Sequence, residues 1–137
     1  MNIESIIDFI SKNQGVRVSK INGQVDLNVD LGIDGDDFSD LIEAYAKEFN
    51  VNIDAYCWYF HHRDEGWNVG ALFFKPPYKQ VDYIPVTPDL LLRGAISHTW
   101  PIEYPAHELP SSRADISFNY ALIVFFIVIC GLAVWLF

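Results

Sequence analysis

Two stretches of this chain carry side chains of a kind that does chemistry. His61-His62 followed by Asp64-Glu65 offers imidazoles beside carboxylates, the makings of a metal site or a general acid–base pair. Adjacent histidines point apart in most backbones, however, and neither an H-x-x-x-H nor an H-E-x-x-H spacing is present. The two histidines are therefore expected to be exposed loop residues. The second stretch is the run of aspartates from Asp30 to Asp40. Set as a calcium loop from Asp30, it puts Gly35 at the glycine position, but Gly32 then falls on a ligand position and Leu41 replaces the closing Glu. No Gly-rich phosphate loop, Gly-x-Ser-x-Gly elbow or Cys-His arrangement occurs. The expectation is a protein without catalytic residues, metal or cofactor and with no small-molecule substrate.

The acids point instead to a surface. The 137 residues carry a formal charge of −9. Between Gly23 and Glu65 stand eleven carboxylates against Lys47 and Arg63, so this segment holds the whole excess. Such a field repels nucleic acid and attracts basic protein surfaces. A solvated face serving solubility, or plain helix capping, would also explain it. The two cysteines, Cys57 and Cys130, are placed too differently to pair, which fits a reducing compartment.

The elements that position these residues follow from periodicity. Ile3, Ile6, Ile7 and Ile10 have helical spacing, with Asn2 as a cap and Gly15 as a stop. Val16 to Ile33 alternates around Asn22-Gly23 and reads either as a short hairpin or as an ordered loop that plugs a helical core. Asp34 to Asn50 is the clearest soluble helix, lining Phe38, Leu41, Ile42, Tyr45 and Phe49 along one face. A strand pair is expected around Lys75 to Gln80. Thr87-Pro88-Asp89 opens a further helix through Leu91, Leu92, Ala95 and Ile96.

The C-terminal stretch from Phe118 to Phe137 has no charged residue and would span roughly 30 Å as a helix, about the thickness of a bilayer core. Phe118 and Tyr120 sit where one interface would lie, Trp135 and Phe137 where the other would, and Gly131 belongs to a small-residue patch with Cys130 and Ala133. The expectation is a tail-anchored, single-pass protein. The first residues have no basic n-region, and Arg113 just before the span places the N-terminal domain in the cytoplasm. The division expected is a soluble domain over 1–100, a Pro/Ser linker over 101–115 and a membrane helix over 116–137.

The run DLGIDGDDFSDLIEAYAKEFNVNID, from Asp30 to Asp54, resembles the acidic recognition helix of acyl carrier proteins. More closely, Ile3 to Trp100 is similar to an uncharacterised bacterial family of carrier-like small proteins, through the Gly-Asp-Asp helix start, Tyr59-Phe60 before Glu65-Gly66, and Pro85, Thr87 and Trp100. The resemblance implies a mainly α fold: a small acyl-carrier-like bundle with a minor β hairpin, here followed by one transmembrane helix, in the bacterial inner membrane. It departs where carriers load their arm, because Gly35 takes the place of the serine that receives phosphopantetheine. What it retains is the docking helix, with Asp34, Asp36, Asp37, Asp40, Glu43 and Glu48 as partner-binding residues. The expected function is a membrane-tethered, non-enzymatic adaptor whose partner is a basic surface on an inner-membrane protein. The alternative is an accessory or unconventionally modified carrier in lipid or cell-envelope synthesis.

Overall fold

The computed structural model describes residues 1–136. Helix α1 (Ile3–Gln14) begins where the Asn2 side chain accepts from the Ser5 N–H and ends at Gly15, whose φ of 66° is the left-handed stop a glycine makes without strain. Helix α2 (Gly35–Phe49) buries Phe38, Leu41, Ile42 and Tyr45 and ends at Asn50. Helix α3 (Pro88–Ser97) starts on the Thr87 hydroxyl, which accepts from Leu90 N–H at 3.2 Å. Helix α1 packs on both α2 and α3. The Tyr45 hydroxyl, buried between them, donates to the Leu91 carbonyl at 2.7 Å. The predicted apolar faces are therefore the packed ones. Ile96 is the exception, being exposed on α3.

Residues 16–33 form the plugging loop and not the hairpin. Ile21, Val25, Leu27 and Ile33 are all buried in the core between the helices. Leu27 N–H donates to Val86 C=O and Ile33 N–H to Leu27 C=O, each at 3.0 Å, so the loop closes on itself and on the start of α3. Its aspartates serve turns. Asp26 accepts from the Asn28 and Val29 N–H groups, and Asp30 accepts from Asp26 N–H. Alternation alone could not separate a strand from a loop that dips into the core every second residue.

No strand forms among the described residues, so the minor β hairpin is corrected. The one β contact is an isolated parallel bridge between Asn52 and Thr99. The expected strand pair is replaced by 3-10 turns at Val69–Leu72 and Pro77–Lys79. Pro76 and Pro77 explain this, since proline lacks the N–H that a ladder would use.

Helix α4 (Ala114–Leu136) has a mean hydropathy of 2.4 over its most apolar window and is long and apolar enough to cross a membrane. Its sides from Ile123 to Leu136 lie largely open, without protein cover. Phe137 lies outside the described residues. Residues 101–113 do not stand off as a free linker. Ile102 and Tyr104 pack on the core, and His107 Nε2 lies 2.6 Å from the Tyr59 hydroxyl.

Candidate functional site

Helix α2 presents its acids in three groups. Asp34, the N-cap, is tied up by the protein's own groups. Its carboxylate accepts from Gly35 N–H, from Arg63 N–H at 2.9 Å and from the Arg63 guanidinium at 3.1 and 2.9 Å. Partial burial works against the charge, and the Arg63 N–H and guanidinium outweigh it, holding the carboxyl below its ordinary value. Asp34 is thus a structural anchor. Asp36, Asp40 and Glu43 form a second group, exposed at helical spacing on the side opposite the core. Asp37 and Glu48 form a third, on the flank toward α1. Gln14 reaches the Asp37 carbonyl there, and Glu48 shares a groove with Asp8, Phe9 and Lys12. Among the described residues none of these five carboxylates is in an ion pair; the pairs are Arg63–Asp34, Arg113–Asp64 and Arg113–Asp115.

Gly35 has a structural reason to be glycine. Its φ is 54°, in the left-handed region, and a Cβ built there would collide with the Glu65 side chain. The Arg63–Glu65 loop therefore lies over the helix start.

The histidines are not exposed loop residues; this expectation is corrected. His61 is fully buried and His62 nearly so. The carbonyl of Ile84 can only accept, so His61 donates to it from Nδ1 at 2.7 Å. Nε2 is then left to accept from the Tyr104 hydroxyl at 2.7 Å. Tyr104 in turn accepts from Trp100 Nε1–H at 2.8 Å and from Cys57 N–H at 3.2 Å. Tyr56 stacks on the imidazole with its ring centroid 5.5 Å away. Burial pushes the His61 pKa down to about 4, against a smaller raising effect of the Ile84 carbonyl. A neutral, fully partnered imidazole in an aromatic cluster is a core element. His62 stacks on Phe38 at 5.0 Å and places Nε2 3.4 Å from the Ser39 hydroxyl. Its Nδ1 faces the Arg63 carbonyl at 2.9 Å. The cavities of about 480, 350, 250 and 230 Å³ are lined by other residues, so this serine and imidazole border none of them. Among the described residues no cluster of His, Cys, Asp and Glu is arranged to hold a metal.

Periodicity missed one polar assembly, at the base of α4. Asp115 and Asn119, both buried, lie one turn apart on an otherwise apolar helix. Asp115 accepts from Asn68 Nδ2 at 2.9 Å, and Asn119 Oδ1 accepts from Gly70 N–H at 2.8 Å while its Nδ2 donates to Asn68 Oδ1. Arg113 bridges Asp115 and Asp64 at 2.6 and 2.7 Å. A Cβ on Gly70 would strike the Asp115 carbonyl, so the glycine is what permits the approach. The signal was present in the sequence as an Asp and an Asn, four residues apart, that an anchor alone has no use for.

Of the predicted membrane residues, Phe118 packs against Phe73 with centroids 5.1 Å apart. Tyr120, Gly131 and Trp135 are open to the surroundings. The model of a family described as "Protein of unknown function (DUF1493)" matches residues 2–97. No curated protein and no solved structure matches the chain.

Proposed function

The chain belongs to this family of unknown function, and on that premise we propose that it is a non-enzymatic adaptor, held to a membrane by α4, that docks a basic partner surface through α2. The observation that supports this most is the row of exposed carboxylates without ion-pair partners at Asp36, Asp40 and Glu43, while the one acid that caps the helix is neutralised internally by Arg63. Capping explains Asp34. The helix dipole covers Asp36 in the first turn, but neither effect explains Asp40 and Glu43 in the second and third turns, where carboxylates no longer favour the dipole. Asp37 and Glu48 widen the surface toward α1. The partner read from this chemistry is a basic face on a protein of the same membrane, which in a bacterium would be the inner membrane, met by a cytoplasmic domain.

Gly35 argues against loading as a carrier, because serine at that position would need both a left-handed backbone and the space of Glu65. A carrier modified elsewhere would have to use Ser39, whose hydroxyl is half-buried against His62. The test is charge reversal in the full chain, Asp36→Lys with Asp40→Lys and Glu43→Lys, followed by crosslinking in native membranes. Loss of the crosslinked partner with the far-ultraviolet circular dichroism unchanged supports docking through α2. Undiminished crosslinking refutes it.

A further inference from the structure

Beside the base of α4 the structure exposes an apolar cluster that the soluble fold does not use. Trp67, Leu72, Phe73 and Phe74 are 61, 80, 66 and 44% exposed and lie within eight residues of one another. Isolated exposed residues such as Val18 or Val29 need no explanation, but four large apolar side chains on one turn do. We infer that this turn is a membrane-seated collar, which enters the boundary between lipid headgroups and acyl chains alongside α4, with Lys75 and Lys79 meeting anionic headgroups. The inference rests on α4 crossing a bilayer.

Three observations select the lipid surface as the occupant. The first is level: the rings of Phe73 and Phe74 lie 5.1 and 6.1 Å from that of Phe118, the first aromatic of the apolar helix. Aromatics at that point of a span sit among the headgroups, so the collar sits there too. The second is attachment. Gly70 N–H donates to Asn119, which fixes the turn rigidly to the helix at this height. The third is the backbone itself. Phe73 and Phe74 N–H both donate to the Gly70 carbonyl, and the Lys75 carbonyl accepts from Gln80, so these backbone groups enter already paired into a medium that penalises open ones. Exposed Lys75 and Lys79 follow directly, as an amphipathic interfacial element requires. The domain therefore lies down on the bilayer, in place of standing off on a stalk.

The test uses the full chain reconstituted in vesicles of phosphatidylcholine and phosphatidylglycerol, with Cys57→Ser and Cys130→Ala removing the native thiols. An environment-sensitive fluorophore is attached through Leu72→Cys in one sample and Phe126→Cys in another. Both labels are expected to shift to the blue and to be quenched several-fold more by nitroxide-bearing lipid than by aqueous iodide. A quenched label at 126 with an iodide-accessible label at 72 overturns the collar and leaves the membrane span standing. Iodide access at both sites overturns the collar and the span together. Phe73→Ser with Phe74→Ser, carrying the Leu72→Cys label, should restore iodide access at 72, and persistent burial there would place the contact elsewhere and overturn the assignment to these rings.

Discussion

Acidification should destabilise the domain built from α1 to α3 through His61, and the size of the effect can be worked out. In the unfolded chain this imidazole titrates near its usual 6.5, whereas in the fold burial lowers it to about 4. The folded state keeps the neutral ring and the unfolded state takes up a proton first. Stability is thus fully present above pH 6.5 and is lost as the pH falls toward 4, below which both states are protonated and the loss stops. The difference, at 1.36 kcal/mol per unit, comes to about 3 kcal/mol in total, of which about 2 kcal/mol is lost between pH 7 and pH 5. That is a large fraction of the stability of a small domain. The assay is urea unfolding of the full chain in detergent micelles at pH 7 and pH 5, followed by tryptophan fluorescence, because Trp100 donates to the same Tyr104 hydroxyl as His61 faces. The control is His61→Asn, which cannot titrate and whose amide can still donate to the Ile84 carbonyl. The variant is less stable at both pH values, through lost packing, but its loss on going from pH 7 to pH 5 should be smaller than that of the wild type by about 2 kcal/mol. An equal loss in both proteins, or an imidazole resonance for His61 that titrates near 6.5, would refute the reasoning.

Other perturbations have outcomes set by the same geometry. Gly35→Ser should cost about 2 to 4 kcal/mol, combining a left-handed backbone with displacement of Glu65, and intact mass should show no phosphopantetheine on the variant or the wild type. Leu27→Ala, in the plugging loop, should cost about 2 to 5 kcal/mol by chemical unfolding, as a core leucine does; a loop merely laid on the surface would lose far less. Gly70→Ala should cost about 1 to 3 kcal/mol and free the base of α4, read as faster amide exchange over 68–74. Asn119→Ala should leave the Gly70 N–H unpaired and cost about 1 to 3 kcal/mol, with the same exchange signature.

Helix existence was legible because periodic apolar spacing has one reading when it persists for ten residues or more. Phe38, Leu41, Ile42 and Tyr45 face the core where their spacing placed them, and caps at Asn2, Asp34 and Thr87 act as caps. The failures are local. Val25 and Leu27 enter the core from turns and not from a strand, and two-residue alternation is silent on that difference. His61 looked solvated because its partners, Ile84 and Tyr104, lie 23 and 43 residues away, and polarity counted along the chain cannot see them. Along α2, composition named six acids as one set and could not separate Asp34, whose partner Arg63 is supplied by a distant loop. Residues 101–113 looked like spacer because Pro101, Pro105 and Pro110 break them up and Ser111-Ser112 follow, yet Tyr104 is a hub of the aromatic cluster.

The two ion-paired residues Arg63 and Asp64 are consecutive, one gripping the start of α2 and the other, through Arg113, the start of α4. A single peptide unit thus welds two helices that the chain separates by a long detour. In a bilayer, where α4 is free to spin about its own axis, the acidic stripe would swing with it as a needle swings with its pivot. A neighbour that grips one side of α4 would then always find that stripe at the same bearing from the helix, whereas a slack leash would present it at any bearing.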